Sequence, residues 1–522
     1  MNKRRRTPAF LALATLLVLS SLRAGQSKPA ALTLEDCVIQ AVKRNLGVAV
    51  QVFTYRQADV AVSQAGEKFY PSLSFDYTGQ NQNSASFSWI QSADILTTKS
   101  MVYSAGISQT IPFGGQFSIS LDADKYDSNT RFQTINPRYD GQLSFTYNQP
   151  LLKNFGWGTS RKEILVARNS RDMAENDLKN ALLRTVYAVE SAYWEYVYRI
   201  EALRVERQSL GLAEALLDKS RKEIEIGTLA PKEILSSQAE VASIKADILQ
   251  AEMMVKDSAD QLRGLINQPF DKDLAEIVPA DTPGFIKREV NLDEALAVAM
   301  KNRPDLQSSA LGIKNRELDY SYAKNQMLPQ LDLRAQYWSP GLSGDRILFL
   351  DDNPLTGIVL GKVPGGASQA LRDALGFKYN NWSVELSLTI PLSTVFSRAA
   401  QAAAKAGLDQ QVVLMKQAEQ TAFLEIRAAV RAVQTNFERV GARKSARELA
   451  EQKLEAEESK LKVGLSNNFF VLNYQRDLAL AKTAELRAMI DYTLSLGQLD
   501  KAMGISLDKR NIRVTDAAEV RQ

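Results

Sequence analysis

The sequence predicts an α+β membrane protein of two tandem halves, each joining a long antiparallel helical hairpin to strands of a β-barrel that closes only between chains. Three observations carry this. An ordered set of matches recurs at fixed shifts along the chain. Each half holds one helical pattern of about 66 residues that ends at a glycine. Each half also holds segments of about ten residues that alternate between apolar and polar.

The first residues read as an export signal. A basic start (Lys3, Arg4, Arg5, Arg6), an apolar run from Ala9 to Leu19 and small residues near Ala24 make residues 1–24 a signal peptide, with an apolar run about half the length of a membrane span. The rest of the 522 residues, 45% hydrophobic and 24% charged, is ordinary for a folded protein. A net charge of +4 with no dense basic stripe argues against nucleic-acid binding. Cys37, the single cysteine, has no partner for an internal disulfide and reads as a small residue on a helix face. No later segment has 18 consecutive apolar residues, so a membrane would be crossed by strands rather than helices.

The duplication organises everything downstream. "LTLEDCVIQAVKRN" and "VNLDEALAVAMKNR" align at a shift of 258, with Leu34 on Leu292, Glu35 on Asp293 and Ala41 on Ala299, and the shift still holds where Pro71 meets Pro329. A second block repeats at a shift of 237, pairing Arg161 with Arg398, Leu212 with Leu449, Gly227 with Gly464 and Leu262 with Leu499. Between the blocks the first half carries 21 more residues.

Each half opens with a capped helix, Thr33 or Asn291 before acidic first turns, with a break expected near Asn45 or Pro304. After the strands comes the long helix, Arg161 to Ile226 or Arg398 to Val463. At 1.5 Å per residue it spans roughly 100 Å, far more than a compact domain uses. A last helix of about 35 residues follows each glycine. Its heptad seam (Val241, Ile248, Val255, Leu262), flanked by Leu235, Ala242 and Leu249, and Leu472, Ala479 and Leu486 in the second half, marks antiparallel coiled-coil packing.

In the strand regions Leu73, Phe75 and Tyr77 alternate with Ser74, Asp76 and Thr78, and Val384, Leu386 and Leu388 with Glu385, Ser387 and Thr389. Such runs suit tilted strands that cross a bilayer with a polar lumen. A soluble sandwich shows the same alternation; the export signal and the long helices favour the barrel. Four strands close no useful barrel, so closure needs several chains. Two further alternating runs, Tyr103–Ile111 and Phe117–Leu121, leave open whether each chain supplies four or six. Polar loops are expected at about 79–100, 124–140 and 339–381.

No catalytic constellation stands out. The chain lacks histidine, which removes Ser-His-Asp and Cys-His catalysis and histidine metal sites, and no phosphate-binding glycine loop or zinc spacing occurs. "DADKYD" at Asp122 to Asp127 lacks the glycine and distal glutamate of a calcium loop, and Asp351 to Asn353 reads as a surface loop. No enzyme activity, cofactor or metal is expected. An exported, non-conducting coiled-coil spacer is the competing reading.

Two tandem halves that pass "YPSL" or "LPQL" into strands, re-enter helix after "QPLL" or "IPLS" and turn at "IGT" or "VGL", together with "ALAVAMKNRPDL", closely resemble the TolC-like outer-membrane efflux family over nearly the whole mature chain. The resemblance implies a homotrimer whose strands form one barrel in outer-membrane lipid and whose helices form a periplasmic α-barrel. It implies a passive exit duct for a tripartite efflux pump or type I secretion system, with a periplasmic adaptor and an inner-membrane transporter of RND, ABC or MFS type as partners.

By the same resemblance the turns at Gly227, Thr228 and Leu229 and at Gly464, Leu465 and Ser466 are the tips that contact the adaptor and gate the duct. Glu233 matches the family's acidic gate position. The second tip departs, with Leu461 where a tyrosine is familiar and Ser466 where an arginine is; Asn467, Asn468 and Asn473 either supply gate hydrogen bonds instead or only end and restart helices. The implied organisation is signal peptide (1–24), N-terminal helix (25–70), strands (71–150), hairpin (151–269), linker and second N-terminal helix (270–328), strands (329–392), hairpin (393–505) and tail (506–522).

Overall fold

The computed structural model describes residues 31–86, 94–227, 230, 232, 234–268, 277–393 and 395–513. The expected signal peptide, the end of the tail, and Thr228, Leu229 and Glu233 lie outside the described residues.

A short strand, β1 (Ala31–Leu32), leads into α1 (Leu34–Arg44), which Thr33 starts with a capping box: its hydroxyl accepts from the Asp36 N–H while the Asp36 carboxylate accepts from the Thr33 N–H. Asn45 ends α1 and caps α2 (Leu46–Gly66), accepting from the N–H groups of Gly47 and Val48. The chain then runs through β2 (Ser72–Ala85), β3 (Ile95–Thr110), β4 (Gln116–Ser128) and β5 (Ile135–Pro150). A single turn, α3 (Trp157–Ser160), precedes the hairpin of α4 (Lys162–Glu225) and α5 (Ile234–Ile266).

The second half repeats the plan. It starts at β6 (Val278–Pro279), which pairs in parallel with β1, and continues through α6 (Leu292–Asn302) and α7 (Pro304–Asn325). Strand β7 (Gln330–Phe349), a short β8 (Val359–Val363), α8 (Ala367–Leu375) and β9 (Asn381–Thr389) follow. The second hairpin is α9 (Val395–Lys462) and α10 (Asn468–Ala502), and α11 (Ser506–Lys509) is the last described helix.

Helices α4 and α9, of 64 and 68 residues, are each about 100 Å long. Their partners cover them end to end, because the end of α5 abuts the α1–α2 joint: the Asn45 side chain donates to the Leu265 carbonyl (2.9 Å) and Asn267 donates to the Arg44 carbonyl (3.2 Å). Leu178, Leu182, Tyr193, Leu262 and Ile266 fill one core with the fully buried Cys37 and Val38. Ile426, Val433, Tyr492 and Leu499 form its counterpart in the second half. The Tyr193 hydroxyl donates to the Asp281 carboxylate (2.9 Å), accepts from the Asp281 N–H (3.2 Å) and lies 3.2 Å from the Leu32 carbonyl, tying the β1–β6 linkage to α4.

The strands form one antiparallel path, β2-β3-β4-β5-β7-β9, with β8 pairing the far end of β7. Six long strands, not four, therefore share the sheet. Most are longer than the expected ten residues, the range being 9 to 20, and the loops expected at 79–100 and 124–140 are largely strand. The alternation fades at Gln80 to Asn83, where strand pairing continues through four consecutive polar, exposed residues and leaves no apolar face for hydropathy to mark. "DADKYD" lies within β4, and Asp351 and Asp352 sit in a short turn that Asn353 closes by donating its N–H to the Leu350 carbonyl (3.1 Å).

Residues directly opposite one another share a face, and the apolar faces agree across the sheet: Phe145 stands opposite Tyr337, and Tyr337 opposite Trp382. The segment expected as an outward loop at 339–381 contains the end of β7, then β8, then α8, which folds back onto that apolar face. Ala370 and Ala374 of α8 are buried against Gly141 of β5 and Gly341 of β7. Phe377 then stacks over Phe145 at 6.4 Å between ring centroids.

Candidate functional site

The two hairpin ends are built by the same local device. Gly227 and Gly464 adopt φ +78° and +77°, a left-handed conformation that costs a side chain steric strain. At Gly464 the N–H of Leu465 donates to the Lys460 carbonyl (2.9 Å) and that of Gly464 to Leu461 (3.2 Å), a Schellman closure that satisfies the last carbonyls of α9. Gly227 donates in the same way to Ile224 (3.0 Å). Both glycines face open space.

Asn467 starts α10 as its N-cap, accepting from the Phe470 N–H at 3.2 Å. Asn468 does something different: it is buried, and its amide donates to the Ser220 hydroxyl of α4 at 2.8 Å, while Ser220 donates onward to the Leu216 carbonyl. The second tip is thereby pinned to the first hairpin. Val471, Leu472 and Leu478 of α10 extend that contact into an apolar core, which Ala213, Leu216 and Leu217 of α4 and Val241 and Ile244 of α5 complete. Asn473 is half-buried on α10. Leu465 is exposed at the turn, and Ser466 donates to Glu457 at 2.5 Å.

Glu457 also accepts from Lys460 at 3.0 Å, and the Ser466 and Lys460 contacts hold its carboxyl below the ordinary value of 4.5. A lowered folded pKa means that this tip contact is in force above 4.5 and is lost as pH falls through the lowered value. Amide exchange across residues 463–470, corrected for intrinsic rates, is therefore expected to speed up on acidification, and Glu457→Gln is expected to exchange fast at every pH.

Sequence reasoning singled out the turns and the capping asparagine because those signals are local. It missed Ser220 and Glu457, whose roles depend on partners across a turn or across hairpins and which look like ordinary helix-surface residues in the sequence. It also missed a cavity of about 180 Å³ between the hairpins, lined by Glu206, Glu240, Asp247 and Arg476. There burial and the nearby Asp247 push the Glu206 carboxyl up, against the pull of Arg476. Among the described residues no group of side chains is arranged to hold a metal ion, and no helix is long and apolar enough to cross a membrane.

The family model described as outer membrane efflux protein matches residues 38–268 and 295–505, the two halves in turn. The chain belongs to the outer membrane efflux protein family. It is 24% identical over 384 residues to the outer membrane protein TolC of Vibrio cholerae, covering 70% of this chain and 78% of that protein. It is 20% identical over 332 residues to the probable efflux pump outer membrane protein TtgC of Pseudomonas putida, covering 63% of this chain and 62% of the relative.

The fold is shared with the CmeC outer membrane channel of Campylobacter jejuni, with a TM-score of 0.66 at 15% identity over 100% of this chain and 98% of that one. It is shared as well with VceC of Vibrio cholerae, with a TM-score of 0.64 at 15% identity over 90% and 96%. As a member of this efflux family the chain is an outer-membrane duct with a helical periplasmic part, a passive channel rather than an enzyme. The reading as a non-conducting spacer is not favoured.

Proposed function

We propose that three copies of this chain form the exit duct of a tripartite efflux pump, that a periplasmic adaptor engages the tips at Gly227 to Leu229 and Gly464 to Ser466, and that an inner-membrane transporter of RND, ABC or MFS type drives transport. The observation that carries the oligomer is a mismatch between the halves. On α10, Leu472 is 5% exposed and Leu486 packs into the core beside α4. Their repeat equivalents on α5, Leu235 and Leu249, are 64% and 69% exposed. The same face is covered in one half and bare in the other, as expected when the next copy in a ring covers it.

The gate belongs to the same reading. Asn468 and Ser220 hold the two hairpins together near the tips, Glu233 stands at the family's acidic gate position, and Asn467 and Asn473 follow the second turn at the start of α10. Opening then means parting contacts that are individually modest, about 1 kcal/mol for a neutral hydrogen bond. In planar bilayers Asn468→Ala and Glu233→Ala are each expected to raise single-channel conductance several-fold. Unchanged conductance in both would remove these residues from the gate, and a mature chain that forms no channel and stays monomeric by native mass spectrometry would sink the duct reading.

A further inference from the structure

We propose that all six long strands of each chain belong to the barrel wall, and that the two free sheet edges meet a second copy of the chain. Strand β9 of one protomer pairs with β2 of the next, so that three copies close an eighteen-stranded barrel. The inference rests on the trimer proposed above.

Two observations place the β3–β4 hairpin in the wall. It is paired continuously, β3 to β2 and β4 to β5, so the sheet has no path from β2 to β5 without it. Its inner turn is also anchored to the helical part: the Gly156 N–H donates to the Phe113 carbonyl at 3.1 Å, and the Phe113 ring lies 6.1 Å from that of Trp157. In the second half the equivalent segment is β8 and α8, so β7 pairs directly with β9. The two halves thus contribute four strands and two.

The edges are complementary. Strands β2 and β9 each have one neighbour along the path among the described residues, and both are exposed along nearly their whole length. With six strands alternating in direction, they also run antiparallel to each other. An unpaired edge in hydrocarbon leaves N–H and C=O groups unsatisfied, which lipid does not tolerate.

The geometry also selects a register. Directly across the sheet, Leu73 of β2 leads through Ile107, Ile119, Phe145 and Tyr337 to Trp382 of β9. Apolar faces agree only if Trp382 meets an odd-numbered residue of the next β2. Opposite Gly79, the end of β9 at Thr389 falls on the start of β2 at Ser72, and both strands meet flush at the inner rim. The resulting stagger gives a strand tilt of about 35° and a backbone radius of about 17 Å, as a membrane barrel requires. A register two residues lower, opposite Tyr77, runs Thr389 past the start of β2 and flattens the tilt to about 25°, outside that range. The seam pairs are then Leu388 with Leu73, Leu386 with Phe75 and Val384 with Tyr77, while Trp382 covers Gly79 of the next copy.

The test is oxidative crosslinking of the full-length channel in detergent. Cys37 is fully buried, and burial pushes its thiol up to about 11, so it stays out of the reaction. Tyr77→Cys with Val384→Cys is expected to move most of the chain into covalent dimers and trimers. The offset pair Tyr77→Cys with Leu388→Cys, about 13 Å out of register, is expected to stay monomeric on a denaturing gel. An electron cryo-microscopy map of the unmodified channel is expected to show eighteen strands. A wall with any other strand number, or a crosslink without gain in mass, would overturn the inference. A conducting trimer that lacks this seam leaves the proposed function standing, whereas a monomer without conductance removes both.

Discussion

Arg303→Ala is expected to lower the stability of the helical part by about 2 kcal/mol, read as a fall of several degrees in the thermal midpoint by far-UV circular dichroism in detergent. Arg303 sits at the joint between α6 and α7, with its side chain 11% exposed. Its guanidinium donates to both oxygens of Asp305, at 3.0 and 2.6 Å, to Glu425 of α9 at 2.7 Å and to the Ala502 carbonyl at 3.2 Å. One side chain therefore joins two N-terminal helices to both arms of the second hairpin.

Removing it strands a carbonyl and two carboxylates. The cost stays below that of a fully buried pair because Glu425 is half exposed and water screens it. Burial pushes the Asp305 carboxyl up, but the Arg303 contacts outweigh it and hold the carboxyl below 3.8, so this contribution is present above that value and fades as pH falls through the lowered one. Arg303→Lys keeps the charge and loses the two-pronged geometry, so an intermediate midpoint is expected. A midpoint unchanged in Arg303→Ala would show that the joint is held by packing alone.

Gly341→Ala is expected to dislodge α8. A Cβ at this position would collide with the Ala370 carbonyl oxygen and come within 2.8 Å of the Ala374 N–H, backbone atoms that cannot rotate away. Overpacking of this kind costs about 1–3 kcal/mol. Only Ala370 and Ala374 of α8 are buried, so the helix has little other packing with which to absorb that cost. Trypsin cleavage at the exposed Arg372 is expected to accelerate about tenfold or more, while Gly361→Ala, at a glycine facing open space, leaves the rate unchanged. Equal rates in both variants would mean that α8 does not depend on the glycine surface beneath it.

These two sites show where sequence reading stops. "KNRPDL" was legible as a helix break, since proline at the first position of α7 and an acidic residue beside it are local signals. Its tie to Glu425 was not, because the partner lies 122 residues away and nothing local sets the register of α7 against α9. The heptad on α5 was read correctly at Val241, Ile248 and Leu262, which are buried, yet Ile244 completes that face and the flanking Leu235 and Leu249 point outward. Periodicity shows that a helix has an apolar stripe, and it leaves open which neighbour covers each part of it.

The candidate site divides the same way. Gly227, Gly464 and Asn467 were legible because a positive φ and an N-cap are properties of a few consecutive residues. The Asn468 bond to Ser220 spans 248 residues and exists only because two hairpins pack side by side.

By itself the sequence determined the tandem halves, the helices near 100 Å, their glycine turns and the two-faced strands, because capping, backbone sterics and side-chain period act within a few residues. Only the tertiary structure decided that six strands share one sheet, that α8 lies on its apolar face and that α10 is covered where α5 is bare. Those outcomes are set by which surfaces meet, and strand order and helix register are free until packing chooses them.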